Sequence, residues 1–317
     1  MADKTPSFTT NLALGEAPPR PGQQVSARKP RVIVTGGSGK LGRSVVRELA
    51  AHGWNVINFD RVLSSDKESG AFFELQIELT DMGQVMEAMQ EIDMRYRGVD
   101  AVVHLAALPN PAQAPSSTLF HTNVMSTYNV LEASRKHGIK NVVLASSETL
   151  IGIPLHPHLP EKVPITEENE RRPESAYSLG KLLGEEMAGQ YARWDPELKV
   201  VSLRFSNVML PEDYTKFESW QTDAYVRSWN LWGYIDARDG AQAVRLSLEL
   251  QRTGHHAYII ANSNTCMRMS NSELMAKVFP NVPYTETEGR NSSLLSISKP
   301  RPSWVMHRDT TSTFSSS

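Results

Sequence analysis

"RVIVTGGSGKLGRSVVRELAAHG", residues 31–53, reads as a β-branched strand, a tight glycine turn and an amphipathic helix in immediate succession. Gly36, Gly39 and Gly42 fall at every third position. Glycine there permits the turn, lets backbone N–H groups approach a pyrophosphate and lets the helix pack closely on the strand. An isolated glycine pattern carries little weight. Between a strand and a helix it predicts a dinucleotide-binding unit, with Lys40 and Leu41 inside the turn as further contacts. The second strand ends in "NFDR", which sets Asp60 about 20 residues beyond the glycines, where a carboxylate accepts from adenosine ribose hydroxyls and repels a 2′-phosphate. That favours NAD over NADP, although Arg61 and Lys40 each soften the penalty against the phosphate.

Around this unit, short β-branched runs alternate with helical patterns. Strands are predicted at 31–35, 55–60, 71–79, 101–107, 141–147 and 199–205, with helices near 40–52, 82–95, 117–137 and 175–194. Several strands are apolar on consecutive residues, as expected when both faces of a parallel sheet are covered. The expected fold class is α/β, a Rossmann-type doubly wound parallel sheet with a small C-terminal substrate lobe. The dinucleotide domain takes residues 31–205, with a helix in 236–253 returning to it. The lobe takes 206–235 and 254–300, including a short strand at 257–261 and a helix at 270–279. Residues 1–30, rich in Pro, Ser and Thr, read as a disordered N-terminal tail, and 301–317 as a frayed tail. The stretch 152–174 holds five prolines and forms a long irregular connection, of a kind that is often functional.

The 317 residues carry a net charge of −2 and a single cysteine, Cys266. The charge offers no basic face for nucleic acid and no polybasic membrane anchor, so a small-molecule substrate is the expected partner. One cysteine excludes an intrachain disulfide and any multi-cysteine metal site, and suits a reducing compartment. No apolar run approaches the roughly 18 residues of a membrane span, and a cytoplasmic location is expected. His104, His255 and His256 have no ligand-like partners in the sequence, so no metal is expected.

In "SAYSLGK" (175–181), Tyr177 and Lys181 stand four positions apart at the start of a predicted helix. That spacing puts them on one face, where a lysine's charge favours the phenolate of a group that otherwise titrates near pH 10. Together with "TGGSGKLG", "VVHLAA" and "NVVLASSETLIG", the stretch resembles the extended short-chain dehydrogenase/reductases, the NAD-dependent epimerase/dehydratase family, over roughly residues 31–250. The resemblance implies that Tyr177 is the catalytic acid/base and that Lys181 binds the nicotinamide ribose and lowers the tyrosine's pKa. It places the active-site hydroxyl on Ser147. It also implies Glu78 and the adjoining Leu79 at the adenine, Leu105, Ala106 and Ala107 along the cofactor cleft, Asn123 near the cofactor and Asn207 at the substrate. A homodimer is a family expectation.

The chain departs from the family pattern in places. "LIG" replaces the usual "VYG", and Glu148 and Thr149 stand where sugar dehydratases carry an Asp-Glu pair, which disfavours dehydration. Glu148 is either a solvated loop acid or part of the site. "MLPED" replaces the glycine after Asn207, and the ending after "SISKPRPSW" diverges. Asp239 in "YIDARDGAQAV" is expected to fix a helix start. The layout looks closer to the smaller sugar-acid dehydrogenases. Three readings follow: an NAD(P)-dependent oxidoreductase acting on a secondary alcohol or carbonyl of a small polar, sugar-like molecule; an NAD-dependent sugar epimerase; and a cofactor-sensing regulator without turnover.

Overall fold

The computed structural model describes residues 28–64, 70–91, 98–155 and 157–299. The C-terminal tail expected to fray, nearly all of the expected N-terminal tail and the end of the helix expected to reach residue 95 lie outside the described residues. In chain order the elements are β1 (Arg31–Thr35), α1 (Lys40–Ala51), β2 (Asn55–Asp60), β3 (Phe73–Gln76), α2 (Met82–Gln90), β4 (Ala101–His104), α3 (Ser116–Lys136), β5 (Asn141–Ser147) and α4 (Ala176–Trp194). They continue with β6 (Lys199–Phe205), β7 (Val208–Met209), α5 (Phe217–Trp220), β8 (Ile235–Asp236), α6 (Ala237–Glu249), β9 (Gly254–Ile260) and α7 (Asn271–Val278).

Seven strands form one sheet in the order β3-β2-β1-β4-β5-β6-β9. All neighbours run parallel. The strand order reverses between β1 and β4, and ligands of such sheets bind in the crevice beyond the strand ends at that point. The apolar run of β1 is continuous because both faces are packed. Val32 and Val34 join α1 and α6 through Val45, Leu49 and Val244, whereas Ile33 packs on the opposite face with Val85 and Val130. Each such side chain, fully buried, contributes about 1.5–3 kcal/mol. Asp81 caps α2 by accepting from the Gly83 and Gln84 N–H groups, and Ser175 and Ser178 form a capping box that starts α4 just before Tyr177.

Four expectations need correction. The stretch 71–79 yields only the four-residue strand β3, which lies at the sheet edge and pairs with β2 alone. The strand expected in the small lobe is β9, and it belongs to the main sheet, where its apolar run covers the open edge of β6 from Lys199 to Phe205. Asp236, not Asp239, caps α6, accepting from the Arg238 N–H. Arg28, inside the expected tail, is bound to Asp100 at 2.7 and 2.9 Å.

A second apolar core gathers Trp232, Phe217, Phe279, Met275 and Leu295, and Trp232 Nε1 donates to the Ala224 carbonyl at 2.7 Å. Three excursions from strand ends build it: 152–174 after β5, 206–235 after β6 and 261–299 after β9. The proline-rich excursion is tied to the others by backbone bonds from Leu155 to Trp229, Val163 to Pro283 and Ile165 to Leu294.

Beneath the crevice, Glu185 on α4 and Arg204 on β6 form a buried two-point ion pair at 3.0 and 2.8 Å. Ser146 Oγ donates to the same carboxylate at 2.6 Å, and Arg204 also donates to the Glu167 carbonyl at 3.2 Å. Removing one partner strands the other charge in the interior. Arg204→Met is expected to lose about 3–5 kcal/mol in urea unfolding, while pairing it with Glu185→Leu recovers most of that loss.

Candidate active site

A cleft of about 970 Å³ opens beyond the C-terminal ends of β1, β2, β4, β5 and β6. The glycine turn forms its floor. Gly36 has φ +73°, and a Cβ there would meet the Ala106 nitrogen at 2.7 Å. A Cβ on Gly42 would lie 2.0 Å from the Gly36 carbonyl oxygen, so the turn and α1 close only without a side chain. Gly39 is the N-cap of α1 and supplies no side-chain cap. The first-turn N–H groups of α1 are thereby left without a side-chain acceptor at the cleft, which suits an anionic ligand.

Asp60 lies at the end of β2 in the cleft wall, with the Ser38 N–H donating to Oδ2 at 3.0 Å and the Val62 N–H donating to Oδ1 at 3.3 Å. The turn therefore aims the carboxylate. Glu78, Leu79, Leu105, Ala106 and Ala107 line the same wall, and Glu78 Oε1 accepts from Thr80 N–H and Oγ1 at 3.1 and 2.9 Å. Lys40 is expected to soften the repulsion that Asp60 exerts on a phosphate, but its ammonium is paired with Asp213 at 2.6 Å. Asn123 differs from expectation. Both ends of its amide are bound to the Leu108 backbone at 2.8 and 3.1 Å, so it shapes the loop behind the cleft while Thr122 and Ser126 line the cleft.

Ser147, Tyr177 and Lys181 converge at the other end of the cleft. Ser147 ends β5, and its Oγ accepts from Thr149 N–H and Oγ1 at 3.2 and 3.0 Å. The Tyr177 phenol lies beside the Ser147 hydroxyl. Lys181 Nζ, one turn further along α4, donates to the Ala145 carbonyl at 2.7 Å and lies 5.7 Å from the Tyr177 ring centre. Burial pushes the phenol up to about 12; the neighbouring Ser147 hydroxyl opposes this and the Glu148 charge adds to it. Burial lowers Lys181 to about 8. Lys181 is expected to lower the tyrosine's pKa, and in this cleft burial acts on the phenol in the opposite direction.

Glu148 is buried, not solvated, in a single 3-10 turn, Glu148–Leu150. Asn230 Nδ2 donates to its Oε1 at 3.0 Å, and burial raises the carboxyl to about 7 against the Asn230 bond, the nearby Ser206 hydroxyl and the charge of Arg227. Asn207 lines the cleft and accepts from Arg227 Nη1 at 3.2 Å. Arg227 sits between Trp220 and Trp229, 4.9 and 4.8 Å from their ring centres. Sequence reasoning passes over Ser206 and Arg227. The one available signal is the position of Ser206 beside Asn207 at the end of β6.

Fold and cleft together define a dinucleotide-binding α/β protein with a serine, tyrosine and lysine gathered at one end of the site. The chain matches the NAD dependent epimerase/dehydratase family over residues 32–261, and it belongs to that family. It is 29% identical over 188 residues to UDP-glucose 4-epimerase 2 of Arabidopsis thaliana, a match covering 56% of this chain and 51% of that one. It is 28% identical over 193 residues to uronate dehydrogenase of Pseudomonas syringae pv. tomato, covering 60% and 64%. The chain thus spans about half the length of the epimerase relative. Among solved structures it is similar to MoeE5 in complex with UDP-glucose and NAD, with a TM-score of 0.59, 25% identity and coverage of 83% and 87%.

A methyl group at position 42 must displace the Gly36 carbonyl. Gly42→Ala is therefore expected to weaken dinucleotide binding by at least tenfold, roughly the loss of one good hydrogen bond to a charged group, as read by equilibrium titration.

Proposed function

We propose that the protein is an NAD-dependent oxidoreductase that transfers hydride between NAD and a secondary alcohol or carbonyl of a small polar, sugar-like substrate. The observation that carries this reading is the convergence of Ser147, Tyr177 and Lys181 at one end of a cleft whose other end is a glycine turn facing Asp60. The bare N-terminus of α1 and the side-chain-free contact of Gly36 with Ala106 fit a dinucleotide. The glycine turn, Asp60, Glu78, Leu79, the Leu105, Ala106 and Ala107 wall and Lys181 would hold NAD, which supplies the hydride acceptor or donor when bound.

The protein's own residues handle the proton. The Tyr177 hydroxyl exchanges it with the substrate oxygen, and Ser147 Oγ orients that oxygen. With its phenol raised to about 12, Tyr177 rests as an acid, ready to protonate an alkoxide as it forms. The reverse direction requires the phenolate, which a charged Lys181 favours. The similarity to UDP-glucose 4-epimerase 2 supports a second reading, an epimerase that oxidises a sugar carbon transiently. Purified protein separates the two. An epimerase retains NAD between half-reactions, whereas a dehydrogenase exchanges it. A cytoplasmic location and a homodimer belong to the same proposal. The net charge of −2 supports the absence of a nucleic-acid partner, and no helix among the described residues is long and apolar enough to cross a membrane.

Tyr177→Phe is expected to keep NAD binding while turnover falls by at least roughly 100-fold. Lys181→Met lowers turnover and NAD affinity together. Near-wild-type turnover in Tyr177→Phe would defeat both readings. Asp60→Ala is expected to weaken NAD more than NADP, by about 1.5–3 kcal/mol for each charged hydrogen bond lost. Tighter binding of NADP than NAD by the wild type would remove Asp60 from this role.

A further inference from the structure

Lys40 is the first residue of α1, and with Gly39 and Leu41 it lines the cleft at the helix end that has no side-chain cap. A cation there opposes the partial positive charge of the free N–H groups, so it rests best beside an anion. Its ammonium lies 2.6 Å from Asp213 Oδ2 and has no other partner among the described residues. The Lys40 side chain is 45% exposed, so a single contact holds it.

Asp213 is held far more firmly. It is buried in the excursion after β6, in a 3-10 turn, Pro211–Lys216, just beyond β7. The Leu210 N–H donates to its Oδ2 at 3.0 Å and the Lys216 ammonium to its Oδ1 at 2.6 Å, so the carboxylate keeps its place without Lys40. Burial raises its carboxyl, but the Leu210 N–H, Lys216 and Lys40 together hold it well below the usual carboxylate range. A half-exposed ion pair of this kind adds little to stability. Its larger effect is on the charge that a ligand meets at the end of α1.

We infer that Asp213 competes with the cofactor's diphosphate for the Lys40 ammonium and thereby shortens the time NAD stays bound. The inference rests on the dinucleotide reading of the same cleft, which sets a diphosphate at the N-terminus of α1. A diphosphate offers the anionic oxygens that Lys40 otherwise finds at Asp213, and the flexible lysine stem lets one ammonium serve either. Arg43 and Arg61 also line the cleft, but neither forms an ion pair among the described residues. Lys40 is therefore the cation whose availability the excursion after β6 controls. Asp213 is a positioning residue, acting on the cofactor through Lys40.

The test measures binding of NAD, ADP-ribose and adenosine to the full chain, by equilibrium titration and by stopped-flow dissociation. Asp213→Asn is expected to bind NAD and ADP-ribose at least about tenfold more tightly, the scale of one hydrogen bond to a charged group, through slower dissociation. Adenosine, which has no phosphate, is expected to gain nothing, and the gain for NAD is expected to shrink as salt rises. Asp213→Ser, which also keeps an acceptor for the Leu210 N–H, is expected to behave alike, whereas Asp213→Glu keeps the charge and stays near the wild type. Made in a Lys40→Met protein, Asp213→Asn is expected to leave NAD affinity unchanged, a non-additivity that a purely structural role does not produce. NAD affinity equal to or below that of the wild type in both Asp213→Asn and Asp213→Ser, or a gain that persists without Lys40 or extends to adenosine, overturns the competition and leaves the dinucleotide reading standing. Failure of the folded wild type and every variant to bind NAD or ADP-ribose overturns both.

Discussion

The contact between the Gly36 backbone and Ala106 fixes the rest of the site. It forces the chain leaving β1 to run hard against the end of β4, at the point where the strand order reverses. Gly42 then brings α1 down onto the same turn, and Ser38 turns its N–H toward Asp60 at the end of β2. The Asp60 carboxylate at the cleft wall and the bare N-terminus of α1 are thus both placed by one packing constraint.

At the far end of the cleft, burial acts on three groups in one chemical direction. It favours the phenol of Tyr177, the amine of Lys181 and the carboxylic acid of Glu148, each the uncharged form. Local partners oppose burial without overcoming it: Ser147 at the phenol, and Asn230, Ser206 and Arg227 at the carboxyl. A site of this kind gains most from ligands that bring hydrogen bonds with them, since each new bond acts where water does not compete.

Much of this was legible in the sequence because its signals are local. The glycine turn, Asp60 at a strand end, Ser147 at another and the one-turn spacing of Tyr177 and Lys181 each depend on a few neighbouring residues, and the structure gathers all of them in one cleft. What escaped depends on long-range placement. Glu148 is buried by Asn230, 82 positions away, and Lys40 is taken up by Asp213 from the excursion after β6. Nothing in the local pattern announces that Arg227 lies between Trp220 and Trp229. The apolar run of β9 fits a lobe strand as well as a sheet strand, and only the open edge of β6 decides between them. Asn123 illustrates the opposite error, since a matching motif position carries its amide to the Leu108 backbone instead of the cleft.

The second core has no chain segment of its own. It is assembled from three excursions, each leaving a different strand, β5, β6 or β9, and tied together by backbone bonds, while α4 with Tyr177, β6 and β9 lie between them in sequence. A single crossover ahead of residue 150 exchanges this core only together with α4, β6 and β9, and any cut between the excursions separates residues that pack together. The second core alone therefore changes by point substitution within the excursions, or by replacing all three together, and Tyr177 on α4 keeps its place in either case.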